Sequence, residues 1–287
     1  MNLYIIDNYY CQRYTVDKMR HKNNYILHKL EQLPFVSFYA KTRGWPYIMA
    51  WGHRLAGIIL VFYACFHIYT LSLLETPARY IAKMQIFGSP LFVFFEWLLA
   101  FPVIFHALNG GRLILYESFG NREDSAVIKW LLSFSAVYVL FLGILMIAGN
   151  QNVSALFFWL TMLLAALSLV YLAAHKIWHT AISYPWKLQR IGGVFLLIMI
   201  PAHLIFMHLN PATGHEAGVV VARMQSSFIK SLDLTLTLVV LLHGGYGLLS
   251  VAVDYLPTGF LQQMSAVIIF GVMIVFAWIG VRLVFII

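Results

Sequence analysis

Seven stretches of this sequence, approximately 51–74, 90–116, 126–148, 154–178, 188–209, 230–255 and 264–286, are apolar runs of about the length that crosses a bilayer. In lipid such a run satisfies its backbone by being helical. Composition points the same way. Of 287 residues, 61% are hydrophobic and 10% charged, where a soluble domain carries about 25% charged residues. The surplus apolar surface must face lipid. The fold class is therefore an all-α integral membrane protein with about seven transmembrane helices.

The net charge of +8 is unevenly placed. Seven basic residues fall within 1–50, and Arg54, Arg112, Arg122, Lys129, Lys176, Lys187 and Arg190 lie at loops or helix ends on the same side. Only Arg79, Lys83, Arg223, Lys230 and Arg282 fall on the other, 5 against 14. By the positive-inside rule the N-terminus is cytoplasmic, in a multi-pass cytoplasmic-membrane protein. The charge thus reports orientation, and no motif points to nucleic acid. Residues 1–50 form a cytoplasmic arm. It has no apolar stretch of about 7–15 residues and is no signal peptide. Its tract Leu33–Trp45 mixes aromatic and basic residues, suiting either the membrane surface or a docked partner. Cys11 in this arm and Cys65 within a span are expected to lie too far apart to bridge.

A repeat is hidden in the spans. HRLAGIILVFYACFH places His67 thirteen residues after Arg54, and QRIGGVFLLIMIPAH places His203 thirteen after Arg190, at an offset of 136. FHALNGGRLILYE carries His106, Gly110 and Glu117 at +0, +4 and +11. LHGGYGLLSVAVDY carries His243, Gly247 and Asp254 at the same steps, at an offset of 137. A three-helix unit is duplicated. After three spans the chain has crossed to the far side, so a second unit of the same orientation needs one return crossing, supplied by 154–178. The expected organisation is an arm at 1–50, a first repeat at 51–148, a linker helix and loop at 149–187, and a second repeat at 188–287. Parallel repeats of this kind form sites at their interface.

Four of the eleven histidines, His67, His106, His203 and His243, lie deep in spans at matching places of the repeat. A buried imidazole in lipid is costly and marks a candidate site. Three explanations compete: isolated polar contacts between helices, a proton relay, or axial ligation of haem iron by facing pairs. Depth favours the third. His67 lies roughly 20 Å from the inner boundary and His106 roughly 16 Å, each matched by its counterpart, His203 or His243. There are two pairs at two levels with one member per repeat, as two stacked haems require and a relay does not. Gly57 and Gly193, three residues after the arginines, and Gly110 and Gly247, one turn from the inner histidines, offer small surfaces to a flat macrocycle. Taken alone they read as ordinary packing glycines. His175 and His179, four apart, read as a polar helix end. His208 is either an alternative ligand or a quinone contact, and His53 lines an inner pocket. His21, His28 and His215 read as loop residues.

Together these motifs resemble the membrane-anchor cytochrome b of succinate:quinone oxidoreductases and quinol:fumarate reductases. HRLAG at 53–57 and HALNGGR at 106–112 resemble the large anchor subunit. LQRIGG at 188–193 and HGGYGLLSVAVDY at 243–255 resemble the small one. The resemblance covers about 45–255 and suggests two three-helix subunits fused through a linker. Family anchors of two three-helix chains or one five-helix chain differ in span count. Ala50 stands where the two-chain type has a serine. The four-histidine pattern resembles dihaem members. That implies two haem b groups, a proximal one on His106 and His243 and a distal one on His67 and His203. It also implies a flavoprotein and an iron–sulfur protein on the cytoplasmic face, and a quinone, as in menaquinone users, within the membrane. Dicarboxylate chemistry would belong to those soluble subunits. This chain has no dinucleotide fingerprint opening a helix, and two cysteines cannot hold an iron–sulfur cluster.

Two quinone sites are open. The inner one would use Arg54, Asp254 and Tyr255 as donors and proton carriers. Ordinary snorkelling to headgroups is its bland alternative. The outer one would use Glu96, a carboxylate inside the second span. Other functions also fit in part. The cytochromes of other quinone-linked dehydrogenases or hydrogenases place two histidines on one helix, whereas here four helices give one each. A secondary transporter would favour more charge and broken helices, for which Pro102 and Pro201 are the only hint.

Overall fold

The computed structural model describes residues 32, 33, 36, 39, 42–120, 124–148, 155–209 and 215–286. Most of the arm, with Cys11, His21 and His28, lies outside the described residues, as do Arg122 and the side chains of Lys129 and His208. Among the described residues the elements are helical throughout. They are α1 (Trp45–Ser72) with a 3-10 turn at Leu73–Glu75, α2 (Pro77–Phe87), α3 (Pro90–Phe119), α4 (Asp124–Ala148), α5 (Ala155–Ile177), α6 (Tyr184–Leu209), α7 (Ala217–Met224), α8 (Ser227–Tyr255) and α9 (Gly259–Ile286). Six are long and apolar enough to cross a membrane, and α4 carries the shorter apolar stretch Leu131–Gly143. The chain is an all-α membrane-spanning protein.

The helices outrun the apolar runs. α1 begins at Trp45, six residues before the first run, because Gly44 turns the chain at φ 80° and Pro46 sets the first helical turn. Polar first turns likewise bring α6, α8 and α9 forward, since a helix needs no apolar residue in the headgroup layer. The short helices α2 and α7 were not anticipated. They lie in the loops at the end opposite Arg54, here called the far end, against the arginine end.

Contacts among α1, α3, α6 and α8 form a closed ring, in which α1 and α6 are diagonal and so are α3 and α8. α4 packs on α3 and α6, and α9 packs on α8 and α1, as the repeat order relates them. α5 packs chiefly on α6 and has no counterpart. The outer surface is apolar: Phe62, Phe157 and Val267 are between 71% and 73% exposed, as lipid-facing side chains should be. The core is strongest in the far half, where Trp159, Tyr80, Met199 and Phe206 are almost fully buried in one cluster.

Pro201 lies inside α6, two residues before His203. The Tyr138 hydroxyl donates to its carbonyl at 2.8 Å, tying α4 to this part of α6. Pro102 likewise lies inside a continuous α3.

Candidate functional site

The four deep histidines project from the diagonals of the ring. His106 on α3 and His243 on α8 have ring centres 6.1 Å apart, with planes at 85°. His67 on α1 and His203 on α6 have ring centres 6.1 Å apart, with planes at 82°. Two metal–imidazole bonds of about 2 Å, with a ring radius beyond each, place the ring centres of a bis-imidazole iron site about 6 Å apart. Both pairs meet that spacing. His175 and His179 also have ring centres 6.2 Å apart, so spacing alone does not discriminate. Those two are exposed, His175 in the last turn of α5 and His179 in the turn just past it, whereas the deep pairs come from opposite helices. Among the described residues no group of three or more His, Cys, Asp or Glu forms a metal cage. Two ligands per level is the number an axially held macrocycle takes.

Hydrogen bonding prepares the inner pair. His106 Nδ1 lies 3.0 Å from the His53 carbonyl, and His243 Nδ1 lies 3.0 Å from the Gln189 carbonyl. A carbonyl only accepts, so each Nδ1 carries the proton and each Nε2 is left with its lone pair for a ligand. Such a bond also fixes ring orientation. His53 and Gln189 each precede a repeat arginine by one residue, so one arrangement occurs twice.

Gly57 and Gly193 allow it. A Cβ at Gly57 would stand 2.9 Å from His106 Cε1, and one at Gly193 would stand 3.0 Å from His243 Cε1. These glycines therefore admit the histidine rings, a different reason from contact with a macrocycle. Gly110 and Gly247 are less restrictive. A Cβ there would make ordinary contacts, 3.5 Å from His53 Cε1 and 3.8 Å from Gln189 Nε2. The His53 ring stacks on His106 at 3.9 Å and 3°, so it belongs to the inner level. Its own Nδ1 is buried with no hydrogen-bond partner among the described residues.

The charged groups at the arginine end pair across the repeats. Arg54 Nη2 reaches Asp254 Oδ2 at 2.9 Å, and its Nη1 donates to the Tyr255 hydroxyl at 3.3 Å. Reciprocally, Arg190 Nε and Nη2 grip both oxygens of Glu117 at 2.8 and 3.1 Å. Each arginine thus meets the carboxylate that ends the second helix of the other repeat. Repeat alignment made Glu117 and Asp254 equivalent but named neither partner. Arg112, which in sequence reads only as a basic residue of a loop or helix end, is buried within α3. It is 4% exposed, and its Nε donates to Asn109 Oδ1 at 2.9 Å.

At the far level Tyr63 stacks with His67, ring centres 5.8 Å apart. Glu96 is partly buried and close enough to act on Tyr63 electrostatically. Trp159 of α5 lies 6.2 Å from His203, so the connecting helix helps to wall the far pair. The side chain of His208 lies outside the described ones.

Comparison with known proteins falls on the first half of the chain. No solved structure matches the chain. The chain is 34% identical over 77 residues to the succinate dehydrogenase 2 membrane subunit SdhC of Mycobacterium tuberculosis, a match covering 26% of this chain and 57% of that protein. The chain thus spans little more than half the length of that relative. Residues 41–145, which hold His67 and His106, match the family described as the succinate dehydrogenase/fumarate reductase transmembrane subunit, and it is to that family that this part of the chain is similar.

Proposed function

We propose that this chain is a dihaem cytochrome b anchor that passes electrons between a flavoprotein/iron–sulfur dicarboxylate oxidoreductase and a membrane quinone. The carrying observation is the two diagonal histidine pairs, each with ring centres 6.1 Å apart and nearly perpendicular planes. Similarity of residues 41–145 to a succinate dehydrogenase/fumarate reductase subunit supports the complex to which it would attach.

Haem b, when bound, supplies a one-electron carrier at each level. His106 and His243 would hold one iron at the arginine end and His67 and His203 a second at the far end, the inner two offering the Nε2 that their Nδ1 bonds leave free. The carbonyls of His53 and Gln189 keep the inner imidazoles in the ligating tautomer. Lipid-facing side chains keep water from both levels. With the arginine end cytoplasmic, the inner pair is proximal to the soluble partners.

For quinone, Arg54 and Tyr255 place two hydrogen-bond donors side by side at the arginine end. Asp254, on Arg54, can exchange protons with the cytoplasm. A carbonyl oxygen between them would be oriented by Tyr255 O–H or Arg54 N–H and protonated by way of Asp254. A second site is supported by the Glu96, Tyr63 and His67 grouping, which offers an acid and a phenol beside the far pair. Menaquinone is the quinone the four-histidine resemblance implies.

A pyridine haemochrome assay on the purified chain should return two haems, and a value of zero overturns the reading. Quinone-coupled turnover then separates the two sites. Loss in Tyr255→Phe alone assigns the arginine end, and loss in Glu96→Gln alone assigns the far end.

A further inference from the structure

The far end holds a charged group that neither the histidine pairs nor the quinone candidates use. Arg223 sits in the last turn of α7, the short helix between α6 and α8. Ala217, Val220 and Met224 of α7 are buried in the far core with Tyr80, Trp159, Phe206 and Leu232, which fixes α7 as a cap. The Arg223 side chain is 13% exposed and therefore turned inward. Its Nη2 lies 3.6 Å from Asp233 Oδ2, close enough for an ion pair but too long for a good hydrogen bond. Its Nε and Nη1 are buried with no hydrogen-bond partner among the described residues. Trp159, in the same cluster, has its ring centre 6.2 Å from that of His203, so this cap borders the far pair.

A buried guanidinium with unused donors is costly unless something accepts from them. The acceptor that suits it is a carboxylate, whose oxygens take charge-assisted bonds in planar geometry. A lipid headgroup is a poor fit, because these nitrogens face the protein interior. Arg54 is committed to Asp254 and Arg190 to Glu117. At the far end Arg282 is taken by Glu75 at 2.9 Å. Haem b carries two propionate carboxylates at one edge. A haem held by His67 and His203 would sit at the level that α7 borders through Trp159.

We propose that Arg223 is the anchor for a propionate of the haem held by His67 and His203, with Asp233 orienting the guanidinium from its other side. This rests on the dihaem reading above. Arg223 is here a positioning residue that sets the charge environment of that haem and touches neither iron nor quinone. By holding a positive charge near the iron it favours the reduced form.

The test uses the purified full chain with its natural haem complement. The first arm is His203→Ala, which should remove one of two haems. If the spectrum is unchanged there is no haem at that level, and both the reading and the proposal fall. The second arm is potentiometric titration of Arg223→Gln, with Arg223→Lys to guard against misfolding. Two haems should remain in at least the lysine variant. The transition that is lost in His203→Ala should move to lower potential, more in the glutamine variant than in the lysine one, while the other stays in place. Redox infrared difference spectra with propionate-labelled haem should show label-sensitive carboxylate bands that shift in Arg223→Gln. Two haems with unshifted far potential and unshifted labelled bands would overturn the assignment even though the dihaem reading stood.

Discussion

Replacing Gly57 by alanine puts one methyl group against His106. The new Cβ would stand 2.9 Å from Cε1 and 3.4 Å from Nδ1. Ordinary carbon–carbon contact is about 3.5–4.0 Å, so the ring must retreat by about half an ångström or more. A free side chain would simply swing away. This ring is held by the 3.0 Å bond from Nδ1 to the His53 carbonyl and is stacked on the His53 ring. Moving it breaks that bond or moves the helix. Overpacking of this kind costs about 1–3 kcal/mol. If that strain falls on the ligated state, haem at the arginine end should bind roughly 5- to 150-fold more weakly. Gly193→Ala meets the same obstacle at His243, where Cβ stands 3.0 Å from Cε1. Gly110→Ala is the control, because its Cβ finds only ordinary contact at 3.5 Å. Transfer of haem to excess apomyoglobin, followed in the Soret band, measures the off-rate. The prediction is faster loss of one haem of two in Gly57→Ala and Gly193→Ala, with an unchanged rate in Gly110→Ala. Unchanged retention in Gly57→Ala, or loss in Gly110→Ala instead, would refute the reasoning and return the glycine requirement to a macrocycle face.

Other expectations are simpler to check. His243→Ala and His67→Ala should each remove a different haem and leave the other's optical band, and loss of both bands in either variant would argue against separate levels. Trp159→Ala should cost about 3–5 kcal/mol, lowering the thermal midpoint and broadening the far haem's spectrum. Tyr171→Ala, at a 70% exposed site on the same helix, should move stability by less than about 0.5 kcal/mol. Arg190 and Glu117 are only partly exposed, at 20% and 19%, and a double-mutant cycle with Arg190→Leu and Glu117→Leu should show favourable coupling of about 0–1 kcal/mol. Coupling well above that range would mean the pair has a further role, such as holding the inner haem.

Much of this molecule follows from its sequence alone, because lipid allows few alternatives. The long apolar runs had to be helices, and among the described residues six helices are long and apolar enough to cross, with a seventh carrying a shorter apolar stretch. The two-level placement of His67, His203, His106 and His243 follows from counting along each helix, since about 1.5 Å of rise per residue converts sequence position into depth. Position around the bundle is not encoded that way. Only packing of α1, α3, α6 and α8 into a ring makes the equivalent histidines face one another on diagonals. The same packing carries the His53 and Gln189 carbonyls to the rings, crosses Arg54 to Asp254 and Arg190 to Glu117, and sets Trp159 of the connecting helix beside His203. The inward turn of Arg223 has a similar origin. In sequence it is one basic residue in a loop. It becomes buried because α7 docks its apolar side on the far core and leaves the guanidinium facing inward. Distance along the chain fixes depth, whereas lateral neighbours come from helices that meet only in the folded state.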